Sequence, residues 1–80
     1  MHEFGIAEKI LNLVLDEAQR HNVRKVTTIR VKVGEANNLS ADSLQFAFGI
    51  VSKNTIAQDA QIDMEKTEGH AIQVINFDGE

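Results

Sequence analysis

A chain of 80 residues is long enough for one domain, and a composition of 42% hydrophobic and 25% charged residues is that of a globular rather than a disordered protein. It contains no cysteine, which excludes disulfides, thiol catalysis and thiolate zinc sites together. The net charge of −4 argues against nucleic acid as a ligand, and the absence of a long apolar run or basic leader predicts a cytoplasmic protein without membrane contact.

The first predicted element is a helix from Ile6 to about His21. His21 and Asn22 are predicted to end it, because asparagine tolerates the left-handed conformation in which many helices stop. Its apolar residues recur at helical spacing and predict one buried stripe, formed by Ile6, Ala7, Ile10, Leu11, Leu13, Val14 and Ala18.

The hydrophobic period then changes from that of a helix to that of a strand. Alternation from Lys25 to Val33 predicts a strand with one core face and one wet face. The core face is predicted to hold Thr27, Ile29, Val31 and Val33. Gly34 ends this strand, and Glu35 to Asn38 form a polar connection.

A second helix follows, with a clear entry signal. Ser40 is its predicted N-cap, and Asp42 in the first turn suits the positive helix pole. Asn54 is the predicted stop. Its buried stripe is predicted to hold Leu44, Ala47, Phe48 and Val51, widened by Phe46 and Ile50.

Two further strands complete the chain. Residues 60–65 alternate in polarity, and Ala71 to Phe77 read as a strand with apolar residues on both faces. The connecting residues Thr67 to His70 include a glycine, which predicts a hairpin turn.

The order helix, strand, helix, strand, strand predicts an α+β fold in one domain, residues 1–80. We expect two layers, with two helices packed on one face of a three-stranded mixed sheet. The edges of so small a sheet need protection, so pairing of strands between two chains, in a homodimer, is left open.

Few residues are candidates for catalysis. Ser40, Ser43 and Ser52 lack the setting of a nucleophile and are interpreted as a cap and two helix-surface hydroxyls, so the chain is not predicted to be an enzyme. His21 ends the first helix, where a cation is favourable. His70 is interpreted first as an exposed turn residue and second as an accessory metal ligand.

His2 differs from the other histidines because of the groups beside it. The α-amine of Met1, the backbone nitrogen of His2 and its imidazole can close two fused chelate rings on one metal, and the backbone nitrogen of Glu3 can add a fourth donor. Four nitrogens in a plane suit Ni(II) or Cu(II) and do not suit tetrahedral Zn(II). Binding should strengthen as pH rises, because the amine and amides must lose protons. Taken alone, a histidine at position two does not identify a metal site.

Three sequence segments, taken together, show which known proteins the beginning of this chain resembles. Met1-His2-Glu3 leads into a helix, a strand ends in Val33-Gly34-Glu35, and the second helix contains Leu44-Gln45-Phe46-Ala47-Phe48. In this combination the chain resembles the HypA/HybF family of nickel metallochaperones for hydrogenase maturation, continuously over about residues 1–66 and again at the last strand.

The resemblance implies a nickel site at Met1, His2 and Glu3, which match the family's N-terminal amine, second-position histidine and third-position glutamate. It also implies two partners, the nickel-insertion GTPase of the pathway and a [NiFe]-hydrogenase large-subunit precursor. Urease is the alternative target.

One departure from the family is large. The family inserts a zinc domain with two Cys-x-x-Cys motifs between its last two strands, whereas this chain has only residues 67–70 there and no cysteine. A domain removed by engineering and a naturally zinc-free relative both remain open. A zinc-free interaction module that docks on the GTPase or the precursor without metal is the alternative function, and a copper site is the alternative metal.

Overall fold

Two helices and three strands follow one another in the predicted order in a computed structural model, which describes residues 2–80. The elements are α1 His2–Arg20, β1 Val26–Gly34, the 3-10 helix η1 Glu35–Asn37, α2 Ala41–Val51, β2 Gln61–Thr67 and β3 Ile72–Gly79. Along this part of the chain, neither helix is both long and apolar enough to cross a bilayer.

The sheet is mixed, as predicted, with the strand order β2-β1-β3. β1 pairs in parallel with β2 and antiparallel with β3. Both helices pack on one face of this sheet, and the predicted α+β two-layer fold is confirmed. The fully buried side chains that join the two layers include Ile10, Val14, Ile29, Val31, Val33, Leu44 and Phe48.

The connection from β2 to β3 is not a hairpin, and that prediction was wrong. β1 lies between the two strands, so the connection must cross the end of β1. The Gly34 N–H donates to the Ala71 carbonyl at 2.7 Å, and the Ala36 N–H donates to the Gly69 carbonyl at 2.9 Å. A β-carbon on Gly34 would overlap the Gly69 carbonyl oxygen, so the absence of a side chain at Gly34 makes the crossing possible.

The ends of α1 are partly as predicted. The helix begins at His2, earlier than the predicted Ile6, and it ends at Arg20. Asn22 has a φ of 57°, and the Val23 N–H donates to the Ala18 carbonyl at 2.9 Å, which confirms the predicted stop. Leu13, predicted to be buried, is 48% exposed, because it lies at the rim of the helix–sheet interface.

The entry to α2 is confirmed, whereas its buried face is narrower than predicted. The Ser40 hydroxyl accepts a hydrogen bond from the Ser43 N–H at 3.1 Å. Phe46 and Ile50 are 67% and 43% exposed, so their assignment to the core was wrong. The rotation of α2 is set by Gln45, whose amide donates to the Ala60 carbonyl at 3.1 Å and accepts from the Ile62 N–H at 2.7 Å.

Two smaller predictions also fail. α2 ends at Val51 rather than at Asn54, which lies in the following turns with a φ of 66°. At the start of β1, Val26 is buried and Thr27 is exposed, the reverse of the predicted faces. The pairing with β3 shifts register between Val26 and Thr28, and such a bulge exchanges the two faces of a strand.

An ion pair on the outer face of the sheet ties β3 to β1. Arg30 Nη2 donates to Asp78 Oδ2 at 2.8 Å, and this hydrogen bond lowers the pKa of the Asp78 carboxyl below its ordinary value of 3.8. The Asp78 carboxyl therefore binds a proton less tightly in the folded chain than in the unfolded chain. The ion pair therefore stabilises the fold at pH values above the ordinary pKa of Asp78, and this stabilisation is lost as the pH falls below that value. In Asp78→Asn, thermal unfolding followed from neutral pH to about pH 2 should depend less steeply on acid than in the parent chain. An unchanged acid dependence would contradict this.

Ser52 is fully buried, so its interpretation as a helix-surface hydroxyl was wrong. Within residues 2–80 its Oγ has no hydrogen-bond partner, and a buried hydroxyl without a partner destabilises the folded state. We expect Ser52→Ala to raise the free energy of unfolding by about 1 kcal/mol in urea titrations. Ser43→Ala is the control, since the exposed Ser43 hydroxyl accepts from Ser40 Oγ at 2.9 Å, and its removal should not raise the free energy of unfolding. A clear loss of stability in Ser52→Ala would refute the prediction.

Candidate metal centre

Four segments meet at one end of the molecule. α1 begins there, β1 ends there and leads into η1, and residues 68–71 cross between β2 and β3. His2 and His70 both lie at this end, which we call the metal end, with Asn37 of η1 between them. His21 lies beyond the other end of α1, about 28 Å away along a helix of 19 residues.

The His2 ring makes one hydrogen bond, and this bond selects one tautomer of the ring. Its Nε2 lies 3.0 Å from the backbone carbonyl oxygen of Asn37. A carbonyl oxygen only accepts, so Nε2 carries the proton, and Nδ1 of the neutral ring keeps a free lone pair. Nδ1 is the nitrogen that can close a chelate ring with the backbone nitrogen of the same residue. Metal-bound histidines commonly donate their other ring N–H to a carbonyl in this way.

The backbone nitrogens of His2 and Glu3 lie in the first turn of α1. The first four N–H groups of a helix have no acceptor within the helix. A metal can therefore replace an amide proton here without breaking a helical hydrogen bond. Each amide that loses its proton also contributes a negative charge, which the positive pole of the helix favours.

The three predicted ligand residues are only partly placed. His2 and Glu3 are consecutive in α1, with the His2 side chain exposed and the Glu3 side chain half-buried. Met1 and its amine lie outside the described residues. Among residues 2–80, no three histidine, aspartate or glutamate side chains converge on one point, so a site at the metal end depends on backbone nitrogens.

Asn37 is the residue that the sequence did not indicate. Its carbonyl accepts from His2, and its side-chain amide donates to the Gly34 carbonyl at 2.9 Å and to the His70 carbonyl at 3.0 Å. One asparagine thus joins the start of α1, the end of β1 and the crossing. The sequence placed it in a polar connection, and no local pattern marks contacts with residues 35 and 33 positions away.

The other two histidines are exposed, as predicted for a turn and a helix end. His21 Nε2 lies 3.7 Å from a carboxylate oxygen of Glu17 on α1. His70 has its backbone fixed through Asn37, while its side chain is exposed at the metal end.

Several relatives of this chain are hydrogenase maturation factors. The chain is 41% identical over 64 residues to the hydrogenase maturation factor HypA of Archaeoglobus fulgidus, an alignment that covers 80% of this chain and 58% of the relative. It is 38% identical over 68 residues to HypA of Pyrococcus horikoshii, covering 85% and 49%. For HypA of Alkalilimnicola ehrlichii the values are 34% over 71 residues, covering 89% and 63%.

The chain therefore spans about half to three-fifths of the length of these relatives. A model of the family described as "Hydrogenase/urease nickel incorporation, metallochaperone, hypA" matches residues 1–72. This match begins at the predicted metal site and ends in β3. Because this family is described as a metallochaperone, the match also confirms the prediction that the chain is not an enzyme. By this match, the chain belongs to the HypA family of nickel-incorporation metallochaperones.

Proposed function

We propose that this chain binds Ni(II) at Met1, His2 and Glu3 and supplies it for hydrogenase maturation. The α-amine of Met1 and the backbone and ring nitrogens of His2 supply three donors, and the Glu3 nitrogen is the candidate fourth. The hydrogen bond from His2 Nε2 to the Asn37 carbonyl is the observation that carries the proposal. It leaves Nδ1 without a proton and holds the ring before any metal arrives, which reduces the cost of ordering the ring on binding.

The donor set favours nickel or copper over zinc. Amine, amide and imidazole nitrogens in a plane match the geometry that Ni(II) and Cu(II) prefer, and this chain has no cysteine for a thiolate zinc site. Cu(II) binds such nitrogens more tightly than Ni(II) does, so intrinsic affinity does not select nickel. The family to which the chain belongs is described by nickel incorporation, and nickel is the cargo we propose.

Delivery requires that an acceptor reach the metal. The exposed His2 ring at the metal end is open to a docking protein. We propose that the acceptors are the nickel-insertion GTPase and the hydrogenase large-subunit precursor in the cytoplasm, with urease as the alternative target.

A second candidate function is supported by a different surface. Phe46 and Ile50 lie one turn apart on α2 and are both exposed, so they form a small continuous apolar patch on this helix. A protein-interaction module that docks through these side chains would not need the metal. In that case Phe46→Ser should abolish capture of the GTPase or precursor, whereas His2→Ala should leave capture unchanged.

Blocking the N-terminal amine tests the proposed nickel site directly. Titration of the free chain with NiCl2 at neutral pH should show one strong site. The Nα-acetylated chain should lose it, because the amine that anchors the metal has become an amide, which must lose a proton before it can bind. Acetylation of the lysine side chains with the α-amine left free is the matched control and should preserve the site. Equal strong binding by the Nα-acetylated chain would refute the proposed function.

A further inference from the structure

The two edges of the three-stranded sheet differ in how their backbone groups are covered. At the β2 edge, the Gln45 side chain accepts a hydrogen bond from the Ile62 N–H at 2.7 Å and donates to the Ala60 carbonyl at 3.1 Å. β2 also carries three charged side chains, Asp63, Glu65 and Lys66. Charged side chains on an edge strand disfavour pairing with a strand of another chain. The β2 edge is therefore protected in two ways.

The β3 edge has neither form of protection. β3 pairs with β1 on one side, and no other strand of residues 2–80 lies on its opposite side. In this part of the chain, the side chain that hydrogen-bonds to the β3 backbone is Thr27, and it reaches only the Asp78 carbonyl, near the end of the strand. Residues 72–77 are all uncharged, and the Asp78 carboxylate is paired with Arg30 at 2.8 Å. Neither a covering side chain nor an unpaired charge opposes an added strand along residues 72–77.

A groove beside this edge exposes apolar side chains. We call it the β3 groove, and it runs between α1 and the free edge of β3, along residues 72–77. Leu13 on α1 and Ile75 on β3 line this groove, and each is 48% exposed. The pairing with β1 passes from Val74 directly to Asn76, so Ile75 has no partner on β1. The groove therefore offers one exposed apolar side chain from each of its two walls.

The charged side chains of the β3 groove are neutralised within α1. Arg20 lies 3.1 Å from Asp16 and 3.8 Å from Glu17. A molecule that enters the groove meets no unpaired charge from these three residues, so a neutral strand suits it better than a charged one. β3 is itself neutral along residues 72–77 and rich in apolar residues. A second copy of β3 meets the requirement, and two copies of one edge can pair about a two-fold axis, as in most homo-oligomers.

We propose that this chain forms a homodimer in which β3 pairs antiparallel with β3 of a second copy. The two sheets then form one continuous sheet of six strands, and Leu13 and Ile75 of each copy are covered at the contact. α1 and β3 both begin at the metal end. In an antiparallel arrangement the two metal ends point in opposite directions, so each His2 ring lies away from the two-fold axis. The dimer does not depend on nickel.

Sedimentation equilibrium at chain concentrations from about 1 µM to about 1 mM tests the dimer. The parent chain should sediment as a dimer at the upper end of this range. Ile75→Lys should raise the dimer Kd about tenfold or more, because it brings like charges together across the two-fold axis. Phe46→Lys makes a comparable change at an exposed apolar residue of α2, outside the β3 groove, and should dimerise as the parent chain does.

Isotope-filtered NMR identifies which strands pair. In an equal mixture of ¹³C/¹⁵N-labelled and unlabelled chains, contacts between copies should join backbone protons of one β3 to those of the other. Leu13→Lys is a second variant, which decides the test if Ile75→Lys does not fold. It lies at an exposed position of α1, where lysine is a good helix former, and it too should weaken the dimer.

Two results would overturn the proposal. A parent chain that is monomeric at every concentration would show that the irregular pairing at Ile75 is enough to protect this edge. Dissociation of the dimer by Phe46→Lys, with Ile75→Lys and Leu13→Lys dimerising normally, would place the interface on α2 instead.

Discussion

Replacing His2 by alanine is expected to weaken nickel binding by at least about a hundredfold, equivalent to about 2.8 kcal/mol. The variant loses the ring donor and with it one of the two fused chelate rings. The fold should persist, because His2 is exposed in the first turn of α1 and its ring contacts only the Asn37 carbonyl among the hydrogen bonds of residues 2–80. We expect the free energy of unfolding to change by less than about 0.5 kcal/mol.

Isothermal titration with NiCl2 and urea unfolding of the same samples measure the two quantities together. Glu3→Gln serves as the control, since it changes a neighbouring side chain and keeps every backbone nitrogen, and it should bind nickel as tightly as the parent chain. Nickel binding that survives in His2→Ala would remove the basis for the proposed site. Loss of binding together with loss of the fold would show instead that His2 has a structural role.

Gly34→Ala is expected to destabilise the fold by about 1–3 kcal/mol, because the added β-carbon would overlap the Gly69 carbonyl oxygen. Gly34 is buried where the crossing passes over the end of β1, and both sides of this contact are backbone, so neither can move away by rotating a side chain. For a domain of this size, each 1 kcal/mol lowers the Tm by roughly 4–8 °C. Nickel affinity should fall as well, since displacing the crossing disturbs the contacts of Asn37, whose carbonyl holds the His2 ring.

Gly49→Ala is the matched control for this substitution. Gly49 is exposed in the interior of α2, and a β-carbon built there meets nothing within 4 Å. Because alanine has a higher helix propensity than glycine, this variant should be more stable by up to about 1 kcal/mol. The same chemical change should thus have opposite signs at the two positions. A Gly34→Ala chain as stable as the parent would show that β3 can begin without the close crossing.

The parts of the fold that depend on local chemistry could be predicted from the sequence. The apolar stripe of α1, the Ser40 cap of α2 and the stop at Asn22 all follow from residues close together in the chain. Element order and layering followed from these. The crossing could not be predicted, because a short glycine-containing connection has the same local pattern whether its two strands pair or flank a third.

The prediction of which α2 residues are buried was wrong for a related reason. Phe46 is as apolar as Phe48, and helical periodicity allowed both in a wide stripe. The structure separates them through Gln45, which hydrogen-bonds to the backbone of Ala60 and Ile62 and so fixes which side of α2 meets the sheet. No hydrophobic pattern reports the hydrogen bonds of a glutamine with residues 15 and 17 positions away.

Some residues of the candidate site could be predicted from the sequence, and others could not. Met1 and His2 could be identified from the sequence, since their donor atoms are adjacent by covalent structure alone. The role of Asn37 could not, because its contacts with His2 and His70 arise only when η1, α1 and the crossing meet. His70 could be interpreted from the sequence as an exposed turn residue first and as an accessory metal ligand second. The fold holds its backbone carbonyl on the Asn37 side chain, at the metal end, and leaves its side chain exposed.

Nitrogen NMR of the chain labelled with ¹⁵N-histidine, recorded before and after one equivalent of NiCl2, tests the nickel site most directly. Planar Ni(II) is diamagnetic, so the resonances should stay sharp. The backbone nitrogen of His2 should lose its proton, its Nδ1 should shift on binding the metal, and its Nε2 should keep the proton that it donates to Asn37. A His2 spectrum that is unchanged by nickel, or a metal-induced shift at Nε2 with Nδ1 unaffected, would contradict the proposed chelate.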